Sequence, residues 1–390
     1  MKTTSLQHTA LGIVTAVTAM FAGAAHAQSS VTLYGLIDEG LNFTSNAGGH
    51  SAYQLSSGNT AGSRWGLKGN EDLGGGNHAV FLLENGFNIN NGKLGQDSSE
   101  FGRQAYVGLA SDRYGTVTLG RQYDITVDPL GFASLTAAGN WAGDVATVPF
   151  DNNNEDWDFR VNNSVKYVSP TWNGLTVEAM YGFSNQTGFS NNRLWGATVN
   201  YQNGGLTAAA SYLRMNNQGS TAGGAVTAGD LFNGASEQNI GAAVSYRFTK
   251  VQVAASYSHV DVYNPTSNVW LANSTPSNGA AWNAWKFDNI ELNSQYYFNS
   301  AFWLGASYTF TIAHLHSQQG DYTPKYHQLA LMLDYDLSKR TSLYIQTAYQ
   351  HAVSAHTGTS FDDAQIIDAS AGASSGVNQT VVRLGMMHRF

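Results

Sequence analysis

Hydrophobic and polar residues alternate along most of the chain, which gives each segment one apolar face and one polar face. The segment 328–337 shows the pattern clearly. Its odd positions are all apolar: Leu329, Leu331, Leu333, Tyr335 and Leu337. This alternation predicts β-strands. It does not by itself separate a membrane barrel from a soluble β-sandwich, because half-buried strands alternate in both.

The connections between these segments separate the two folds. Short breaks are predicted at 71–76, 111–114, 169–173, 202–204, 249–250, 299–300 and 338–339. Long polar segments lie between them, near 44–58, 89–98, 125–159, 185–191, 215–236, 263–283, 317–324 and 353–377. Fifteen connections predict sixteen strands. Strict alternation of short and long connections is typical of an outer-membrane barrel with short periplasmic turns and long extracellular loops. Sixteen strands enclose a water-filled lumen.

The N-terminus and the composition agree with this all-β, antiparallel transmembrane barrel. Residues 1–27 resemble a cleaved secretory signal, with Lys2, an apolar run at 11–21 and the small residues Ala25 and Ala27. A buried N-terminal helix is the alternative. The remaining residues, 28–390, are predicted to form one barrel domain in the outer membrane. Later segments lack 18 consecutive apolar residues, which excludes a helical membrane protein. The net charge of −8 argues against nucleic-acid binding, and the absence of cysteine excludes disulfides.

Several motifs resemble those of one protein family. They are the segments 31–38, 63–76 (SRWGLKGNEDLGGG), 101–109 (FGRQAYVGL), 114–124 (YGTVTLGRQYD) and 163–170, together with the terminal Phe390. In this order they are similar to the general porins of β-proteobacteria. The resemblance implies a homotrimer through which small hydrophilic solutes and ions diffuse passively, with no enzymatic activity and no cofactor. It also implies that the outer-membrane assembly machinery reads Phe390, and that outer-membrane lipid and lipopolysaccharide surround the barrel.

The third long segment, 125–159, is the candidate constriction loop. Unstructured connections of this length are usually functional or disordered. It carries acids and no basic residue before Arg160: Asp128, Asp144, Asp151, Glu155, Asp156 and Asp158. It also holds apolar residues able to anchor it against a wall: Leu130, Phe132, Leu135, Trp141 and Phe150. We therefore predict that it folds into the pore; an external loop with solvated acids is the alternative.

A basic side is predicted opposite this loop. The resemblance places Arg64, Arg103, Arg121 and Arg160 around the narrowest point, and alternation directs Arg64 into the lumen. Arg121 has the parity of an outward residue and needs a bulge or a strand end to turn inward. Other predicted lumen residues are Asp38, Lys68, Glu84 and Lys166. Facing acids and bases would select solutes by charge. The sequence leaves open whether the channel prefers anions or cations.

The sequence leaves two alternatives to a general diffusion channel. One is a substrate-selective channel on the same barrel, and the other is an outer-membrane barrel enzyme. No catalytic constellation rises above what composition alone supplies. A regular hairpin around 317–324 would pair His314 with His327, and with His316 these imidazoles form a weak zinc candidate. Their outward parity favours an interfacial belt instead.

Overall fold

The computed structural model describes residues 30–136, 143–155, 159–221, 223–227, 232–276 and 279–390. The predicted signal, residues 1–27, lies outside these ranges. Helical structure in the described residues is limited to α1 (Val127–Ser134) and three short 3₁₀ turns at Gly143–Ala146, Pro149–Asp151 and Ser360–Asp362. None of the described helices is long and apolar enough to cross a membrane.

The other regular elements of the described backbone are strands, joined by turns and irregular loops. The strands are β1 (Ser30–Ala47), β2 (His50–Ser57), β3 (Arg64–Gly74), β4 (Asn77–Gly86), β5 (Gln104–Ser111), β6 (Gly115–Gln122), β7 (Val161–Val168), β8 (Leu175–Gly182), β9 (Arg193–Asn203), β10 (Leu206–Asn216), β11 (Ser236–Arg247), β12 (Val251–Tyr263), β13 (Trp282–Tyr297), β14 (Phe302–Ser317), β15 (Gly320–Tyr322), β16 (Lys325–Ser338), β17 (Thr341–Val353) and β18 (Asn378–Arg389). Each is antiparallel to its neighbours in one sheet.

The eighteen described segments occupy sixteen positions in the wall. Segments β2 and β3 lie end to end beside β1, and β15 and β16 lie end to end beside β14. Strand β1 also pairs with β18, from Leu36 opposite Arg389 to Thr44 opposite Val381. The first and last strands thus close a sixteen-stranded barrel, as predicted. Closure satisfies the backbone groups that a sheet edge would leave bare in lipid.

The C-terminal residue completes this closure. Gly35 and Phe390 exchange two backbone hydrogen bonds, of 3.1 and 3.0 Å. The Phe390 ring lies against the Cα of Gly35, so closely that a Cβ at this glycine would come within 2.4 Å of the ring. Glycine at position 35 therefore makes room for the terminal ring.

Side chains alternate between solvent or lipid and the barrel interior. In β16 the odd residues Leu329 and Leu331 are 48% and 38% exposed on the outside, whereas Gln328 is 2% exposed and points inward. Bulk lipid favours the apolar set on the outside, and the lumen accepts the polar set. The alternation read from the sequence therefore places the correct residues on each face.

Two predicted long loops are wrong. The segment 44–58 is mostly strand, because β1 and β2 extend as a hairpin that turns at Gly48 and Gly49, both with positive φ (59° and 94°). Likewise 317–324 is a tight hairpin that reverses at Gln318 and Gln319. Polar composition suggested loops because a ribbon that rises beyond the membrane has water on its outer face and needs no apolar residues.

Candidate functional site

The described residues of the third long connection pack against the inner wall of the barrel, as predicted. Helix α1 packs on the inner faces of β9 to β13. Leu130 is buried with Ala209 and Ala243, and its side chain occupies the space in front of Gly241. Ile125 packs in the same way on Gly196 and Leu213. Small residues on the inner wall thus form a seat for the apolar residues of the loop.

Polar contacts fasten the second half of this loop. Asn152 and Asn289 exchange side-chain hydrogen bonds of 3.3 and 2.7 Å. Gln328 donates to the carbonyls of Val145 and Thr147 at 2.9 and 3.0 Å. Because the barrel strands supply the partners, these bonds hold the loop backbone at a defined depth.

An aromatic cluster covers the same side of the lumen. Phe150 packs edge-on against Tyr326 and Phe361, with centroids 5.5 and 5.2 Å apart, and Phe361 lies 5.1 Å from Trp285. Phe150 reaches this position in a left-handed backbone conformation (φ 64°), which costs a non-glycine residue about 1–2 kcal/mol. Phe361 belongs to the last extracellular loop. That loop therefore clamps the constriction loop against the wall.

Across the lumen, two predicted arginines meet one carboxylate. Arg103 Nε lies 2.9 Å from Glu84 Oε1, and Arg64 Nε lies 3.8 Å from Glu84 Oε2. Tyr34 donates to Glu84 Oε2 at 2.8 Å. The Glu84 side chain is 6% exposed, and the Arg64 side chain 18%. This pair of guanidiniums therefore exceeds its shared acid by one positive charge.

A tyrosine that sequence reasoning missed joins two of the arginines. The Tyr123 hydroxyl accepts from Arg103 Nη2 at 2.5 Å and from Arg160 Nη2 at 2.9 Å. Arg160 also lies over the ring, 4.8 Å from its centroid. Tyr123 stands immediately after the end of β6, where strand parity no longer tells which way a side chain points. The one sequence feature that points to Tyr123 is its place two residues after Arg121 in the motif at 114–124.

Arg121, the fourth predicted arginine, contacts Gly102 and Asn162. A bulge between Gly120 and Gln122 interrupts its strand, as the sequence required for an inward turn. The guanidinium donates to the Gly102 carbonyl at 2.7 Å and to Asn162 Oδ1 at 2.6 Å. Through these contacts Arg121 links the segments before β5 and at the start of β7. Its role in the constriction stays a prediction.

The acids of the loop occupy different environments. Asp128 is half-buried, and burial raises its pKa, an effect that the nearby Lys166 ammonium opposes. Asp151 and Glu155 are buried between loop and wall, where Glu155 accepts from Ser134 at 3.3 Å and from Asn153 at 3.1 Å. The side chain of Asp144 and all of Asp156 and Asp158 lie outside the described residues.

Burial governs the chemistry of Glu155. Burial, together with the charge of Glu291 on the facing wall, raises the pKa of Glu155 well above its ordinary value. Both residues line one small cavity between the loop and the barrel. Docking of the loop therefore shifts Glu155 towards its protonated form.

The remaining predicted lumen residues divide into structural and accessible ones. Asp38 is fully buried: its Oδ2 accepts from the Thr60 backbone N–H and hydroxyl at 2.6 and 2.8 Å and from Ala61 N at 3.0 Å. It thus holds the segment after β2 inward. Lys68 is exposed and lies 5.4 Å from the centroid of the Tyr34 ring. Lys166 Nζ lies 3.3 Å from Glu178 Oε2, a lumen acid that sequence reasoning missed although its parity matches.

The predicted pairing of His314 with His327 is wrong. Phe310 lies opposite His327, and His314 lies opposite Lys286, because the hairpin reverses closer to β14 than the midpoint of the predicted loop. His316 instead contacts Asp321 at 3.1 Å. Among the described residues, no group of three or more histidine, cysteine or acidic residues could hold a metal ion.

Comparison with known proteins agrees with this architecture. The family model described as Gram-negative porin matches residues 14–354. The chain belongs to this porin family. An outer membrane porin of Bordetella pertussis is 33% identical to it, over 97% of this chain and 99% of that protein. Outer membrane porin protein 32 of Delftia acidovorans is 29% identical, over 94% and 96%. Among solved structures, an anion-selective porin from Comamonas acidovorans has a TM-score of 0.69 at 26% identity, covering 93% of this chain and all of that one.

Membership gives the barrel its function and location. This porin is an outer-membrane channel for the passive diffusion of small hydrophilic solutes and ions. A sixteen-stranded barrel is wide enough to hold water, so solutes cross without the protein having to open around each one.

Proposed function

We propose that this porin narrows between the inward-folded loop and the arginine side of the lumen, and that it conducts anions in preference to cations. The observation that carries the preference is that Arg64 and Arg103 share the single carboxylate of Glu84. The similar porin from Comamonas acidovorans is described as anion-selective, which supports the same sign.

The size of the expected effect follows from electrostatics. A unit charge about 4 Å from a passing ion is worth about 1–4 kcal/mol between fully aqueous and protein-surface dielectric conditions. Salt at 0.1 M screens exposed charges beyond about 10 Å. The preference should therefore be clear in dilute salt and weaken in concentrated salt.

The zero-current potential across a tenfold KCl gradient tests this proposal in planar bilayers. Replacing both arginines, Arg64→Gln with Arg103→Gln, leaves Glu84 in place and should move the potential towards cation preference. Lys339→Gln is the matched control, because Lys339 is an exposed cation in a periplasmic turn remote from the site. A wild-type channel that prefers cations, or a double variant with an unchanged potential, contradicts the proposal.

We also propose that the porin assembles as a homotrimer in contact with outer-membrane lipid and lipopolysaccharide, and that it transports without catalysing a reaction. Phe390, seated against Gly35 at the end of β18, is the proposed signal for the assembly machinery. Unheated protein in mild detergent should migrate near three times the mature mass. Deleting Phe390 should lower the yield of this species in the outer membrane while leaving export intact; an undiminished yield contradicts the assembly role.

A further inference from the structure

Two arginines on neighbouring strands point away from the lumen. Gly196 of β9 and Leu213 of β10 face the constriction loop through Ile125, so the residues of opposite parity lie on the outside. Arg193 and Arg214 have that opposite parity. The register places Arg214 beside Trp195, and Arg193 beside Asn216. Both guanidiniums thus occupy one outward patch at the extracellular ends of β9 and β10.

Within the described part of the chain, both arginines donate hydrogen bonds to neutral side chains. Arg214 donates to Gln238 Oε1 at 3.0 Å and to Ser236 Oγ at 3.3 Å. Arg193 donates to Asn216 Oδ1 at 3.4 Å and lies 6.0 Å from the centroid of the Phe189 ring. On the same outer face, by contrast, Lys286 contacts the carboxylate of Asp261 at 3.0 Å. Neither arginine forms an ion pair with a carboxylate of the described residues, so the patch that they form carries positive charge.

The patch sits directly above the apolar band. Trp195 and Tyr212 pack against each other with ring centroids 5.3 Å apart. Towards the periplasm the outward residues become aliphatic, as with Ala197 and Val199, which is 44% exposed. Aromatic rings mark the boundary between the acyl chains and the headgroups around outer-membrane barrels. The two guanidiniums are therefore placed at headgroup height.

We propose that Arg193 and Arg214 bind a phosphate group of a phosphorylated glycolipid in the outer leaflet, while Trp195 and Tyr212 contact its acyl chains. The planar guanidinium fork suits phosphate oxygens, which it can bind through two parallel hydrogen bonds. This inference rests on the outer-membrane location of the porin and is independent of its ion preference.

Charge favours lipid over a second copy of the chain at this patch. Contact with another protein would bury two guanidiniums, and burying a charge without an ionic partner is strongly unfavourable. A phosphate in the headgroup layer compensates the charge and leaves the arginines partly hydrated. The unbalanced positive charge above an apolar band thus matches an anionic lipid.

Native mass spectrometry of the detergent-solubilised porin tests the assignment, with bisphosphorylated lipid A and its dephosphorylated form as probes. We expect the phosphorylated form to be retained preferentially. Each of Arg193→Gln and Arg214→Gln should weaken its binding roughly fivefold, the effect expected of one basic residue near an anionic membrane surface. Lys250→Gln with Lys339→Gln is the control for loss of two positive charges, placed at periplasmic turns.

The outcomes distinguish a lipid phosphate from free phosphate as the bound anion, and they distinguish this proposal from the one on the constriction. Excess inorganic phosphate should leave lipid retention unchanged; complete displacement would identify a simple anion site and overturn the lipid assignment. Equal retention of dephosphorylated lipid also overturns it, as does undiminished binding by a variant that carries both Arg193→Gln and Arg214→Gln. The lipid assignment is also overturned if a variant at Arg193 or Arg214 loses the oligomer but still binds lipid, since the patch would then join two copies of the chain. Zero-current potentials of the same variants should match wild type, so failure here leaves the constriction proposal untouched.

Discussion

On the side of the lumen formed by β1 and by β3 to β7, the inward side chains include arginines, tyrosines and Glu84, joined by hydrogen bonds and ion pairs. On the side formed by β12 to β17, inward positions carry Trp285, Phe287 and Tyr326, and loop residues cover them. Both sides belong to one closed sheet. The polar side keeps charge beside the lumen, whereas the apolar side holds the loop that narrows it. Under the proposed function, support of the loop and selection by charge thus lie on opposite walls.

The largest effect is expected from removing the clamp on the apolar side. Phe361 is fully buried against Phe150 and Trp285, so Phe361→Ala should weaken docking of the last loop by about 3–5 kcal/mol, the usual loss for a buried phenylalanine. Amide hydrogen exchange in α1 and the 3₁₀ turn at Pro149–Asp151 should accelerate, and single-channel current should become noisier.

A matched aromatic tests whether this effect belongs to the clamp. Phe298 is 45% exposed at a periplasmic turn, and Phe298→Ala should leave both readouts unchanged. If Phe361→Ala exchanges α1 amides at the wild-type rate, the last loop does not support the constriction loop.

A charge reversal on the polar side should change selectivity and leave the loop docked. Arg160 contacts the Tyr123 hydroxyl at 2.9 Å, at the junction of the arginines and the constriction loop. Arg160→Glu removes one positive charge and adds a negative one, so the zero-current potential in a tenfold KCl gradient should move towards cations. An unchanged potential in dilute salt would make Arg160 a rim residue and would defeat the basic-side interpretation.

The smallest effect is expected at the contact between the loop and the apolar side, and it appears as the pH rises above the ordinary range of a glutamate carboxyl. The pKa of Glu155 is raised by burial and by Glu291, so docking is most favourable while the carboxyl is protonated. Its contribution is lost as the pH rises through the elevated pKa. As the pH rises above the ordinary pKa range of glutamate, wild-type loop amides should exchange progressively faster than intrinsic chemistry requires.

Glu155→Gln provides the comparison, because the amide keeps the shape of the protonated carboxyl and cannot ionise. Its loop amides should show no such pH-dependent loosening. If wild type and variant have the same pH profile, ionisation of Glu155 does not control docking.

Strand faces were predictable because lipid on one side and water on the other leave a period-two signature in each segment. The predictions of loops at 44–58 and 317–324 were wrong because this signature depends on the membrane. Beyond the membrane that signature disappears, so a polar hairpin and a polar loop read alike. The true turns at Gly48–Gly49 and Gln318–Gln319 follow from pairing along the whole hairpin.

The apolar residues of segment 125–159 indicated a loop packed against a wall, and Leu130 and Phe150 do pack there. Which acids remain near the lumen was not predictable. Asp151 and Glu155 are buried and Asp128 is half-buried, although all three are acids in one polar segment. Strand β13, far away in sequence, supplies the wall that covers Glu155.

The sequence by itself determined the closed barrel, the inward and outward residues and the family, since these depend on local alternation, chain length and motifs. Only the tertiary structure decided that Glu84 is shared by two arginines, that Tyr123 joins Arg103 to Arg160, and that Asp38 holds a segment inward. These pairings join residues separated by many positions along the chain. The geometry of barrel closure and loop packing sets their distances, and no local pattern records it.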